Sequence, residues 1–541
     1  MPSQEFVAYP VERATAYRSA GYFAGLPLDT ILTDAARRRP RHRAVLDDTT
    51  ALTYAELDAA ADRLAAGLAG AGITPGDRVL LQLPNGCRFV VALFALLRAG
   101  AVPVLCLPGH RRADLAHFLE VSGATTLVIA DTAGGFDYRA MATQLVEDRP
   151  GLRVIVAGDA GPFLPWEELD AASAAARRPP IDPQQPALLL ASGGTTGAPK
   201  LIPRTHDDYR YNVTASAGVC ALSCDDVYLA VLPAAHNFAL ACPGLLGALS
   251  VGATVVFTTD PSPESAFATI TRHGVTVTAL VPTLATLWAQ ACEWEPVTPD
   301  TLRLLQVGGA KLGPDEARLL RDALGTEVQQ VFGMAEGLLC YTRPGDAAEL
   351  VEHTQGRPLC VDDELLVVGD DGTPAEPGVE GELWVRGPYT INGYYNAEAV
   401  NKRAFNPDGF FRSGDQVRLR QDGYLEVTGR IKDVIQRAGE TVAAEELEVH
   451  LLAHPAISAA AAVGLPDPYL GEQICAAVVF HADPLTLTQL HHHLEGRGVA
   501  AHARPDTVVA MAALPTTAVG KVDKKAIVRL ISVDTEPAGD R

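Results

Sequence analysis

Little in this sequence speaks for a membrane, a metal cluster or an oxidised exterior. Apolar runs such as Phe89-Val-Val-Ala-Leu-Phe-Ala-Leu-Leu97 fall far short of the ~20 residues a membrane helix needs. The nine cysteines include no C-x-x-C pair, and nothing beside Cys220 and Cys224 completes a zinc set. Their odd number and scatter suit reduced thiols in the cytosol. Basic residues are scarce: 44 Lys and Arg stand against 65 Asp and Glu, a net charge of −21. Such a surface excludes nucleic acid as a general partner and argues against membrane association. The first residues, Met1-Pro-Ser-Gln-Glu-Phe6, carry neither the basic nor the apolar region of a signal peptide. A cytoplasmic location is therefore expected. His491-His-His493 resembles a metal tract but lies in a polar helical stretch and reads as a solvated face.

At 541 residues the chain is too long for one core. From about Pro27 to Asp260 it alternates helical and strand patterns. Thr53 with Glu56 has the spacing of a capping box, Arg78–Leu83 and Val102–Leu107 read as strands, and residues 87–98 between them read as a helix. The alternation resumes near residues 253–257, 275–280 and 302–307. Strands separated by helices imply parallel sheets covered on both faces. Near Val361 short strands divided by Asp-Gly turns predict a small antiparallel sheet or barrel. After Gly429-Arg-Ile-Lys-Asp433 an α+β stretch follows, with a helix over 443–453 and strands over 458–464 and 474–480. The fold class expected is α/β: a large N-terminal part of two parallel subdomains plus a small β-barrel, and an α+β C-terminal domain.

The densest signal is Ser192-Gly-Gly-Thr-Thr-Gly-Ala-Pro-Lys200, which follows the apolar run Pro186–Ala191. Gly193, Gly194 and Gly197 let backbone N–H groups close around a polyphosphate, and Ser192, Thr195 and Thr196 add hydroxyls. It is not a Walker A loop, because Pro199 precedes Lys200 and keeps Ala198 out of the helical region. Further segments join it: Phe332-Gly-Met-Ala-Glu336, Gly381-Glu-Leu383, Ser413-Gly-Asp415, Gly429-Arg430 and Pro515-Thr-Thr-Ala-Val-Gly-Lys521. Singly, each has a plain explanation as a cap, a turn or a surface charge.

Jointly, in this order and over nearly the whole chain, they resemble the adenylate-forming superfamily of acyl-CoA synthetases, luciferases and nonribosomal adenylation domains. The resemblance implies ATP and Mg²⁺ as cofactors and attack of a carboxylate on the α-phosphate. It makes the 192–200 loop the holder of the outer phosphates, Glu336 the Mg²⁺ ligand, Asp415 and Arg430 the ribose contacts, and Phe332 the residue against adenine. Gly309, Val331, Gly333, Met334, Ala335 and Val427 complete the implied ATP site. Lys521 becomes the catalytic cation that meets charge developing on the α-phosphate. The implied division is 1–431 for the core and 432–541 for a mobile lid, with Lys432 as hinge and Gly439–Glu440 as the turn used in thioester formation.

His236-Asn-Phe238 followed by Pro243-Gly244 resembles the aryl-acid ligases that start catecholate and phenolate siderophores. On that likeness His236 is catalytic, and His236, Asn237, Phe238, Cys242, Gly308, Gly333 and Leu339 bind the acid. Asn237 would meet the ortho hydroxyl, since an amide both donates and accepts. Cys242 and Leu339 match the salicylate branch, the starter of mycobactin-type siderophores, whereas dihydroxybenzoate ligases carry Ser at the first position. Arg437-Ala-Gly-Glu440 favours a phosphopantetheinylated aryl carrier domain over free CoA as acceptor. The alternatives are 2,3-dihydroxybenzoate, 3-hydroxypicolinate, an aromatic acyl-CoA ligase, and a non-catalytic nucleotide-binding or carrier-docking protein of this fold; intact Lys521, Glu336 and Asp415 weigh against the last.

Overall fold

The computed structural model describes residues 6–171, 178–192, 199–295, 297–369, 371–430, 433–437, 440–467, 470–481, 483–497, 499, 501–517 and 520–534. Two large sheets form the N-terminal part. One has nine strands, in the order Arg357–Pro358, Leu339–Tyr341, Glu327–Gly333, Leu304–Gly308, Val277–Leu280, Val227–Ala230, Thr254–Phe257, Arg43–Leu46 and Ala51–Thr53. Its middle is parallel and its two ends are antiparallel. The other has seven strands, in the order Leu201–Thr205, Pro186–Ala191, Val102–Leu105, Arg78–Gln82, Thr126–Ala130, Arg153–Ala157 and Leu164–Pro165. The parallel strands read as continuous apolar runs because both faces of each sheet are buried.

The helices between them follow from local sequence. Thr53 caps the helix Tyr54–Gly70, its hydroxyl accepting from Glu56 N–H while the Glu56 carboxylate accepts from Thr53 N–H. The helix Cys87–Arg98 is apolar on nearly every side and is accordingly buried on nearly every side.

The region expected to be a small barrel is a four-stranded antiparallel sheet, in the order Glu364–Val368, Glu380–Arg386, Phe411–Leu419 and Leu425–Arg430. Beyond Arg430 a smaller C-terminal domain builds its own sheet around the long hairpin Ile457–Asp467 and Gly471–Phe480. Successive residues of the first strand feed opposite faces: Ala460 and Ala462 pack with Leu447, Leu451, Leu490 and Leu494, while Ala461 and Val463 pack with Ile527 and Ile531. Helices therefore cover both sides. Seven cysteines are buried and two, Cys224 and Cys292, are partly accessible. Among the described residues no helix is long and apolar enough to cross a membrane.

Candidate active site

The strands Pro186–Ala191 and Leu201–Thr205 run antiparallel, with Ala191 opposite Leu201, and the glycine-rich segment stands between them in the sequence. Gly193, Gly194, Thr195, Thr196 and Gly197 lie outside the described residues. The two flanking residues, Ser192 and Lys200, are tied to each other twice. Ser192 N–H donates to the Lys200 carbonyl at 2.9 Å, and Lys200 N–H donates to Ser192 Oγ at 2.8 Å. Strand, not helix, follows Lys200, as Pro199 predicts.

Glu336 sits on the turn of a second hairpin, between Glu327–Gly333 and Leu339–Tyr341. Phe332 and Gly333 stand opposite Cys340 and Leu339, and Met334 N–H donates to the Leu338 carbonyl at 3.1 Å. Any side chain at Gly333 would collide with that of Leu339. The Glu336 carboxylate accepts from the buried Tyr394 hydroxyl at 2.8 Å. The Lys200 ammonium lies 5.1 Å from the centre of the same ring, a cation–π distance. From below, Arg204 Nη1 donates to the Ala335 carbonyl at 2.9 Å and Nη2 to the Tyr389 carbonyl at 3.1 Å. Arg204 has no solvent access and is paired with the equally buried Asp208 at 2.9 Å.

Asp415 and Arg430 face each other across neighbouring strands, and Arg430 Nε donates to Asp415 Oδ1 at 2.6 Å. The charge of Asp415 is the main reason the guanidinium is held above its ordinary pKa. Val427, buried in the same strand, donates its N–H to Gln355 Oε1 at 2.7 Å.

Of the residues expected to meet the acid, His236, Asn237, Phe238 and Cys242 lie in or beside the short helix Asn237–Ala241. His236 caps it, with Nδ1 accepting from Phe238 N–H, which leaves the ring proton on Nε2. Asn237 Oδ1 accepts from Tyr209 Oη at 2.8 Å and its Nδ2 donates to Cys242 Sγ at 3.4 Å. A β-carbon on Gly308 would stand 2.6 Å from the Val331 carbonyl and 3.0 Å from Phe238 Cζ, so only glycine lets that ring lie against the sheet. Burial pushes the Cys242 thiol up to about 12, keeping it neutral. Burial, and then the Lys521 charge, push His236 down to about 3, keeping the imidazole neutral.

Lys521 comes from the C-terminal domain, where its backbone is tied back to Thr517. Thr517 N–H donates to the Lys521 carbonyl at 2.6 Å, and Gly520 takes φ +80°, a conformation glycine adopts freely. The lysine Cε comes within 3.4 Å of where a β-carbon on Gly309 would stand, beside Val281. The Lys521 side chain stays solvent-accessible, although protein packs around its ammonium. Enclosure lowers its pKa first and the Arg430 charge adds to that, while Asp415 and Glu336 oppose the shift.

Thus Lys521 passes beside Gly309, and His236, Glu336, Asp415 and Arg430 all lie within electrostatic range of its ammonium. Lys432 and Gly439 lie outside the described residues, and Glu440 opens the strand Glu440–Ala443. Three participants were not singled out from sequence: Tyr394, Arg204 and Tyr209. Arg204, a charge inside an otherwise apolar strand, carried the clearest signal.

The chain matches the AMP-binding enzyme family over residues 32–395 and the AMP-binding enzyme C-terminal domain over 446–521. It belongs to the AMP-binding enzyme family. Among members of this family it is 67% identical over 539 residues to the salicyl-AMP ligase / salicyl-S-ArCP synthetase of Mycobacterium tuberculosis, covering 98% of this chain and 95% of the relative. It is 46% identical over 528 residues to the 2,3-dihydroxybenzoate-AMP ligase of Bacillus subtilis, covering 97% of this chain and 98% of the relative. The apo structure of Mycobacterium smegmatis MbtA, 63% identical, superposes with a TM-score of 0.77 over 97% of this chain and 98% of that one. ATP-bound MatB from Rhodopseudomonas palustris, at 25% identity, has a TM-score of 0.83 over 94% and 99%.

Proposed function

We propose that this AMP-binding enzyme condenses salicylate with ATP to salicyl-AMP and pyrophosphate, then passes the salicyl group to the phosphopantetheine thiol of an aryl carrier domain, the opening step of a mycobactin-type siderophore in the cytoplasm. The observation that carries the reading is that Lys521 comes in along Gly309, where its charge reaches His236 and it feels the charges of Arg430, Asp415 and Glu336. An ammonium there meets both the attacking carboxylate and the α-phosphate oxygens. A new carboxylate–phosphorus bond forms, the α–β bridge breaks, and negative charge gathers beside Lys521. His236 is neutral and carries its proton on Nε2, so it donates a hydrogen bond at this junction without adding a competing cation.

Asp415 and Arg430 hold the ribose, with Gly309, Val331, Phe332, Gly333, Met334, Ala335 and Val427 around the nucleotide. Ser192 and Lys200, with Gly193, Gly194, Thr195, Thr196 and Gly197 between them, hold the outer phosphates. Asn237, Phe238, Cys242, Gly308 and Leu339 enclose the aryl ring. Among the described residues no three His, Cys, Asp or Glu side chains stand together as a metal cage. One carboxylate, Glu336, is what Mg²⁺ requires when phosphate oxygens and waters supply the rest of its shell. Bound there it would neutralise the polyphosphate; the chain's part is to hold the carboxylate in place. The reading divides the chain at 431/432, with Lys432 as hinge and Gly439–Glu440 entering for thioester formation.

Exchange of labelled pyrophosphate into ATP tests the first half-reaction, with salicylate, 2,3-dihydroxybenzoate and 3-hydroxypicolinate in parallel. Salicylate should give the highest kcat/KM; another acid leading would replace the substrate assignment. Supplying holo-carrier domain and free CoA side by side tests the second half, and faster transfer to CoA would overturn the carrier.

A further inference from the structure

A carboxamide has a donating and an accepting end, and in a closed pocket only one can face a ligand. At Asn237 the accepting end is occupied. Tyr209, on the helix His206–Val219, has no solvent access, and its hydroxyl donates to Asn237 Oδ1 at 2.8 Å. Its ring is clamped in turn, with the Arg204 guanidinium 4.7 Å from its centre. That guanidinium is itself fixed by Asp208 and by the carbonyls of Ala335 and Tyr389. The amide's Nδ2 is turned toward Cys242, whose sulfur is a weak acceptor at 3.4 Å. The strong acceptor has gone to the core and the strong donor has been left with a poor partner.

We propose that Tyr209 is a specificity-determining positioning residue. By holding the carbonyl end of Asn237 in the core it makes the pocket a hydrogen-bond donor toward the ortho substituent of the acid. An ortho oxygen accepts that bond. An ortho amine, whose lone pair is delocalised into the ring, accepts it poorly, and Asn237 Oδ1, held by Tyr209, is not turned to take the amine's hydrogens. The pocket therefore selects ortho-hydroxy over ortho-amino benzoates. This inference rests on the aryl-acid reading above.

Tyr209→Phe tests it, since the variant keeps the ring beneath Arg204 and removes only the hydroxyl. The freed amide can turn, so the salicylate-to-anthranilate ratio of kcat/KM in pyrophosphate exchange should fall about tenfold, a common size for one pocket contact, while KM for ATP stays put. In an Asn237→Ala background the same substitution should leave the ratio unchanged, because Tyr209 acts through the amide. A ratio untouched by Tyr209→Phe overturns the proposal, as does an equal fall in both backgrounds. If Tyr209→Phe does not fold, Asn237→Asp serves: it keeps an acceptor for Tyr209 and removes the donor, so it must lose the preference for salicylate, and retention of that preference overturns the proposal. Failure of the unmodified enzyme to exchange with salicylate would instead strike the parent reading.

Discussion

Lys521 lies along Gly309, its Cε 3.4 Å from the place a β-carbon would take. At φ +88° that glycine also has a backbone conformation that side chains avoid. It is this backbone conformation, not a clash with the lysine, that keeps the position glycine. Lys521→Ala should slow pyrophosphate exchange by roughly 10²–10³, as loss of one preorganised donor does. ATP affinity, measured by calorimetry, should change little. Transfer from preformed salicyl-AMP should suffer much less than exchange; equal losses would mean that Lys521 serves both half-reactions.

Tyr394→Phe keeps the ring beside Lys200 and deletes the hydroxyl that holds Glu336. The expected result is a several-fold rise in the Mg²⁺ concentration needed for half-maximal exchange, with KM for salicylate unchanged. Mn²⁺ bound with ATP, followed by EPR, should weaken in parallel. An unaltered metal dependence would make Tyr394 a packing residue only.

Cys242→Ser replaces a weak hydrogen-bonding sulfur, buried against Asn237, with a hydroxyl that donates and accepts strongly. A 3-hydroxyl on the acid must lose water to enter and is better satisfied against serine. The kcat/KM ratio should move toward 2,3-dihydroxybenzoate by about 1–2 kcal/mol, without full reversal because Leu339 still crowds the site. Movement toward salicylate would remove Cys242 from the neighbourhood of the 3-position.

Asp363 offers a pH signature. Its Oδ2 accepts from Tyr389 Oη at 2.6 Å and from Cys360 N–H at 3.0 Å, while its Oδ1 has no partner among the described residues. Burial pushes the carboxyl up to about 7, and those two hydrogen bonds offset part of the shift. A raised carboxyl binds its proton more tightly in the folded state. Its contribution is therefore fully present below about 4 and lost as pH rises through about 7. Asp363→Asn should gain on the parent between pH 5 and 8 by something of the order of 1–3 kcal/mol, read from urea midpoints at both ends. A difference that does not vary with pH would show that the carboxyl titrates normally.

Most of the frame was legible where local chemistry decides it. The Thr53 box, the helix at 87–98 and the C-terminal hairpin follow from caps and periodicity within a few residues. The cleft was legible in kind, since glycines and lone charges beside strands mark places where backbone must approach a ligand. What escaped depends on distant pairing. Tyr394 meets Glu336 across 58 positions, and Arg204 meets Ala335 across 131; neither spacing leaves a periodic trace. Arg204 inside Leu201–Thr205 looks like a fault in an apolar strand until Asp208 and two carbonyls are seen around it. The strand order of the nine-stranded sheet, which sets Arg43–Leu46 beside Thr254–Phe257, was equally invisible.

The burial of the cysteines makes this chain unusually easy to instrument. Cys224 and Cys292, the two thiols within reach of a reagent, both belong to the large N-terminal part, and Cys475, the one thiol beyond residue 430, is sealed in its core. Replacing those two by serine leaves a surface without reactive thiols. A fluorophore on a cysteine introduced at exposed Ser458 would then report, without background, whether the small domain moves against the large one.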